Sequence, residues 1–167
     1  SPDGTLLAVA SGHMVTLYAA DSGEALRMLA GHEGMVTGLC FSPDGRVLAS
    51  GSDDCTVRLW DPCTGAALRL LSGHIRPVSS VAFSPDGRFL ASGSRDRTIW
   101  LWQADSGAML QVLKAHEQGV TSVAFSPDGH TLASAASDKT VRLWQTDSGI
   151  CLRVLMGHQD YISSVAF

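Results

Sequence analysis

The chain has 167 residues, 45% of them hydrophobic and only 17% charged, with a formal net charge of −4. That composition describes a globule able to bury a core, not a disordered chain. There is no Lys/Arg run, no apolar run near the ~18 residues that span a bilayer and no signal-peptide layout, so neither nucleic acid nor a membrane is an expected partner.

The chain opens on Ser1-Pro2-Asp3-Gly4, and the same four residues return at Ser42, Ser84 and Ser126, spacings of 41, 42 and 42 residues. Self-similarity at such a period is the mark of a repeat architecture. Other landmarks keep step: Tyr18, Trp60, Trp102 and Trp144; His32, His74, His116 and His158; Phe41, Phe83, Phe125 and Phe167. Four units of about 42 residues fill the chain and leave no separate domain or linker.

Within a unit the apolar period is two. Ser79–Phe83 reads as a strand, and Ser84-Pro85-Asp86-Gly87 supplies turn chemistry, proline pre-setting one φ and glycine accepting a positive one. Phe89–Ser94 is a second strand, Arg95-Asp96-Arg97 a tight turn, Thr98–Trp102 a third strand and Asp105-Ser106-Gly107 another turn. Met109–Leu113 is the fourth strand. Short strands with turn signals every 8 to 12 residues and no helical segment predict an all-β protein. A lone four-stranded sheet cannot cover both of its faces, so the units must stack radially as the blades of a β-propeller.

The stretch LASGSDDCTVRLWD, Leu48–Asp61, with Gly31-His32 upstream, resembles the Trp-Asp repeat family of β-propellers, and the resemblance covers essentially the whole chain. The literal dipeptide occurs only at Trp60-Asp61; it is Trp102-Gln103, Trp144-Gln145 and Tyr18-Ala19 elsewhere. The resemblance implies four antiparallel blades per chain. Blade 1 takes residues 1–30 closed by 158–167, blade 2 takes 31–72, blade 3 takes 73–114 and blade 4 takes 115–157.

Three units offer a histidine, a serine, an aspartate and a tryptophan at matching offsets: His32, Ser50, Asp54 and Trp60; His74, Ser92, Asp96 and Trp102; His116, Ser134, Asp138 and Trp144. A serine, a base and an orienting carboxylate invite a hydrolase reading. A set stamped once per blade argues against it, because catalysis needs one site beside a cleft and an oxyanion hole. The resemblance implies a buried structural hydrogen-bond chain instead, and no catalytic residue is assigned. The first unit, Ser11–Tyr18, is one residue shorter, lacks the aspartate and carries Tyr for Trp, so His158 is expected to have no full network and this blade to be the loosest.

Arg27, Arg69, Gln111 and Arg153 sit mid-way along the fourth strands, where they are expected to discourage edge-to-edge pairing. Trp100 stands where Thr16, Arg58 and Arg142 stand elsewhere, and is expected to pack on a neighbouring blade, with ligand contact as the alternative. No second ligand recurs beside the histidines, so neither a metal nor a cofactor is expected. Cys40, Cys55, Cys63 and Cys151 form no CxxC pair and do not follow the repeat, which points to reduced thiols and a cytoplasmic setting.

Function in this resemblance is binding on a face. The loops after each Gly-His and before each third strand vary between units while the framework does not, and among them Met35, Asp53, Arg76, Arg95 and Tyr161 are the candidates for contacting a protein or peptide partner. The expected function is a non-catalytic interaction scaffold. The alternative is a structural repeat segment of a larger multidomain protein whose activity lies elsewhere. The ends raise a separate expectation. Tyr161–Phe167 reads as the first strand of a blade whose other strands begin at Thr5. Because propellers of the resembled family close with seven or eight blades, a homodimer sharing those strands in an eight-bladed ring is favoured over an excerpt of a longer array.

Overall fold

The computed structural model describes residues 1–167 and contains strands and turns only. There are four antiparallel sheets. The first holds β1 (Leu6–Ser11), β2 (Met14–Ala19) and β3 (Ala25–Ala30). The second holds β4 (Val36–Phe41), β5 (Leu48–Ser52), β6 (Val57–Trp60) and β7 (Ala67–Leu71). The third holds β8 (Val78–Phe83), β9 (Phe89–Ser94), β10 (Thr98–Gln103) and β11 (Met109–Lys114). The fourth holds β12 (Val120–Phe125), β13 (Thr131–Ala136), β14 (Val141–Gln145) and β15 (Cys151–Leu155). Each sheet is a meander in chain order, and β4, β8 and β12, the first strands, lie against one another across the blades.

The Ser-Pro-Asp-Gly turns work through their side chains. Ser84 Oγ donates to Asp86 Oδ1 at 2.6 Å and accepts from Phe89 N at 2.9 Å, while Gly87 closes the turn onto Ser84 O with φ +72°. A side chain at Gly87 would be strained by that positive φ.

The blades adhere through apolar clusters that each straddle two sheets. Ala49, Val57, Leu59 and Leu71 of the second sheet meet Val78, Val81, Phe83, Leu90 and Trp102 of the third, all buried. Close approach depends on small residues: a Cβ at Gly51 would lie 2.7 Å from Val78 Cγ1, and one at Gly93 would lie 2.7 Å from Val120 Cγ1.

The first sheet has three strands, and residues 158–167 do not close it. No hydrogen bond joins that segment to β1, and none of its residues is in a ladder. Within this single chain residues 158–167 and residues 1–30 do not form one sheet. Residues 162–167 instead lie along β12, with Ile162 buried beside Ala135 and Val141.

Two of the fourth-strand polar residues also reach the next blade. Arg69 donates from Nε to Ser106 O at 3.2 Å and from Nη2 to Asp105 O at 3.1 Å, both in the following blade's turn. Gln111 Nε2 does the same to Asp147 O at 2.8 Å. These two side chains fasten one blade to the next, on strands that also expose Leu68, Leu70 and Leu110.

Candidate functional site

Three blades carry the same polar chain across their strands. Trp60 Nε1 donates to Ser50 Oγ at 2.8 Å, Ser50 Oγ lies 2.7 Å from His32 Nε2, and His32 Nδ1 lies 2.7 Å from Asp54 Oδ2. In the third sheet Trp102, Ser92, His74 and Asp96 repeat these separations at 2.9, 2.8 and 2.8 Å. In the fourth, Trp144, Ser134, His116 and Asp138 do so at 2.8, 2.7 and 2.8 Å. The strand register makes this possible: Ser50 on β5 stands two residues along from Leu48, the partner of Trp60 on β6.

The proton inventory of such a chain is fixed. Trp has only a donor, so Ser accepts from it and spends its own proton on His Nε2, leaving Nδ1–H for the carboxylate. Every polar atom is thereby paired and the imidazole is neutral. Burial pushes His32, His74 and His116 below the ordinary imidazole range, against the opposing pull of their aspartates. Partial burial works to raise the Asp54 carboxyl, but hydrogen bonds from Thr56, His32 and the backbone outweigh it and hold the pKa at about 2.

Chemically this is a closed arrangement. Ser50, Ser92 and Ser134 are wholly inaccessible, and each hydroxyl is already engaged by an indole and an imidazole. No substrate carbonyl can reach them in this state. No group of three His, Cys, Asp or Glu side chains is placed to hold a metal ion.

The loops above these chains form one end of the blades. Met35, Pro77, Gly119 and Tyr161 occupy equivalent places, and the first three accept a backbone hydrogen bond from the turn of their own blade, from Asp53, Arg95 and Ser137. Gly119 is the small member. A Cβ there would come 3.1 Å from Arg95 Cα. A concavity of about 480 Å³ beside it is lined by Arg95, Gln118, Gly119, Ser137, Tyr161 and Ser163, among others. Arg95 and Tyr161 are thus brought together at one notch. Met35, Asp53 and Arg76 lie on the same loop end but outside the notch.

The family model of the WD domain, G-beta repeat matches residues 23–61, 65–103 and 107–145, more than half of the chain. The chain belongs to the WD-repeat family. Each matched repeat begins before a fourth strand and ends after the next third strand, so a repeat spans two blades and ties them covalently.

Among curated WD-repeat relatives, a periodic tryptophan protein 2 homolog of Mus musculus is 51% identical over 47 residues, which are 28% of this chain and 5% of that protein. The Mus musculus telomerase Cajal body protein 1 is 44% identical over 63 residues, 36% of this chain and 12% of that protein. The Bos taurus serine-threonine kinase receptor-associated protein is 50% identical over 54 residues, 31% of this chain and 15% of that protein. The matched segments span only a small part of each relative.

Several functional side chains of this WD-repeat chain escape a reading by residue type. Thr56, Thr98 and Thr140 each bond the aspartate two residues earlier, at 2.6, 2.5 and 2.7 Å, and hold its carboxylate in place. Their recurrence at fixed spacing was the available signal. Trp100 stacks on Trp102 with ring centroids 5.2 Å apart, lies 5.0 Å from His74, and covers Gly73, where a Cβ would come 2.3 Å from the indole. It roofs its own blade's polar chain as well as adding to the cluster shared with blade 2.

Proposed function

We propose that this WD-repeat chain is a non-catalytic scaffold that binds a protein or peptide partner at the loop end of its blades, with Arg95 and Tyr161 as its anchors. The single observation that carries the reading is the Gly119 notch. An exposed aromatic, Tyr161, and an exposed Arg95 flank a concavity that Gly119 also lines. Tyr and Arg at such a position are the side chains that dominate interface energetics. Met35, Arg76 and Asp53 extend the same end as peripheral contacts. The name of the kinase receptor-associated relative is that of a complex component, which favours an interaction role here too. Four free thiols, Cys40, Cys55, Cys63 and Cys151, fit a reducing, cytoplasmic setting.

The test is quantitative capture of partners by the wild-type chain, by Arg95→Ala and by Tyr161→Ala. The reading expects a set of proteins lost or reduced at least tenfold in both variants. An unchanged set in both variants would remove this face as the binding site.

We also propose that the working assembly is a homodimer, two copies forming one ring of eight blades. Its support is the count of four blades, against the seven or eight with which propellers of this family close. Light scattering should give about twice 17.6 kDa.

A further inference from the structure

The loop end of blade 3 differs in charge from the loop ends on either side of it. After Gly73-His74 come Ile75 and Arg76, and the turn between β9 and β10 carries Arg95 and Arg97. The same four places hold Glu33, Gly34, Asp53 and Cys55 in blade 2, and Glu117, Gln118, Ser137 and Lys139 in blade 4. Guanidiniums alone stand over blade 3, carboxylates alone over blade 2, and one charge of each sign over blade 4.

The framework does not ask for these cations. The His–Asp contacts beneath the three blades keep the same separation, 2.7 or 2.8 Å, whichever residues stand above them. Arg97 holds φ +75°, but Cys55 and Lys139 hold +70° and +67° at the same place, so the turn makes no demand for a guanidinium. Arg76, Arg95 and Arg97 are all exposed, and none of the three side chains forms an ion pair, those of the chain being the His–Asp contacts. Asp96 does not neutralise them, because its carboxylate is turned onto His74, Thr98 and the backbone of Ile75. Lys139, by contrast, is already engaged by Gln159 O at 2.7 Å.

The two loops that carry the arginines are fastened together before any partner arrives. Ser94 Oγ donates to Arg76 O at 3.0 Å, Arg95 N to Pro77 O at 2.9 Å, and Ile75 N to Asp96 Oδ2 at 3.2 Å. Blade 4 has Ala136 where Ser94 stands and cannot make the first of these bonds. A platform held in this way needs little further ordering on binding. Ile75, 83% exposed beside Arg76, adds an apolar contact to the charged ones.

We infer that the loop end of blade 3 docks a short acidic segment of a partner protein, rich in Asp or Glu and with an apolar side chain set against Ile75. This partner chemistry rests on the scaffold reading above and specifies what that scaffold recognises. Free guanidiniums bind carboxylates through charge-assisted, forked hydrogen bonds. The patch is one blade wide, bounded by Glu33 and Asp53 on one side and by Glu117 on the other, in a chain of net charge −4. A long polyanion such as nucleic acid would run onto those carboxylates, whereas a short acidic segment fits between them.

The test is fluorescence anisotropy of a rhodamine-labelled Glu-Glu-Leu-Glu-Glu peptide titrated with the whole chain, beside a Lys-Lys-Leu-Lys-Lys counterpart. Wild type should bind the glutamate peptide in preference, and its affinity should fall about tenfold or more between ~0.05 and ~0.5 M salt. Arg76→Glu combined with Arg97→Glu should weaken that binding by about tenfold or more and turn the preference toward the lysine peptide. Glu33→Lys, which widens the patch, should tighten it several-fold. All three residues are exposed, so circular dichroism should match wild type. Equal binding of the two peptides, or wild-type affinity in the charge-reversed chain, overturns the acidic partner. A phosphoserine peptide that binds where the glutamate peptide does not overturns the carboxylate as the recognised group. The capture experiment above separates the two readings. Partners lost in Tyr161→Ala, with no binding of the glutamate peptide, leave the scaffold standing and overturn its acidic specificity. Partners unchanged in Arg95→Ala, in Tyr161→Ala and in the charge-reversed chain overturn both.

Discussion

Trp60 Nε1 donates to Ser50 Oγ at 2.8 Å, and that bond fixes the protonation of the histidine beyond it. The hydroxyl, having accepted from the indole, must donate to His32 Nε2, and the imidazole must in turn donate to Asp54. The chain is satisfied only with a neutral histidine.

Removing the hydroxyl should therefore cost more than one hydrogen bond. Ser92→Ala leaves the buried Trp102 N–H and His74 Nε2 unpaired, and unsatisfied buried groups cost about 1–3 kcal/mol. Urea unfolding should show a midpoint lowered accordingly with an unchanged slope. A stability within experimental error of wild type would mean that the polar chain contributes nothing.

Stability should fall on acidification, in two windows. The histidines have folded pKa values below the unfolded 6.5, so the unfolded chain takes up protons first and stability is lost as pH drops below that value. Asp54 has a folded pKa of about 2 against 3.8, so its contribution is present above 3.8 and disappears between 3.8 and about 2. Thermal unfolding from pH 8 to pH 3 should give a declining midpoint. A midpoint rising between pH 7 and pH 5 would require charged histidines in the folded chain.

Overpacking at Gly93 should be felt across a blade junction. A Cβ there meets Val120 Cγ1 at 2.7 Å and Val123 Cγ1 at 3.0 Å. Gly93→Ala should destabilise by about 1–3 kcal/mol, and Val120→Ala in the same chain should recover part of that loss. Additive losses in the double variant would contradict direct contact.

Much of the framework was legible because the physics repeats with the sequence. Four occurrences of Ser-Pro-Asp-Gly marked the turns, and the offsets from His32 to Trp60 recur in the two following units with matching atom separations. What stayed hidden depends on relations between blades. Arg69 looks like a solvated edge residue until the next blade's turn is placed against it. The close approach of Gly119 to Arg95, 3.1 Å from a notional Cβ to the Arg95 Cα, appears only once the two loops are placed together. That Ile162 and Val165 bond to Thr121 and Ser122 of β12 is likewise a relation between segments, not a property of either alone.

The reading stands on the three Ser–His–Asp sets being framework and not nucleophiles. The direct measurement is intact-mass spectrometry of the folded chain after incubation with a fluorophosphonate, which labels activated serine hydroxyls. The buried, doubly engaged hydroxyls predict an unchanged mass. A stoichiometric adduct mapped to Ser50, Ser92 or Ser134 would contradict it.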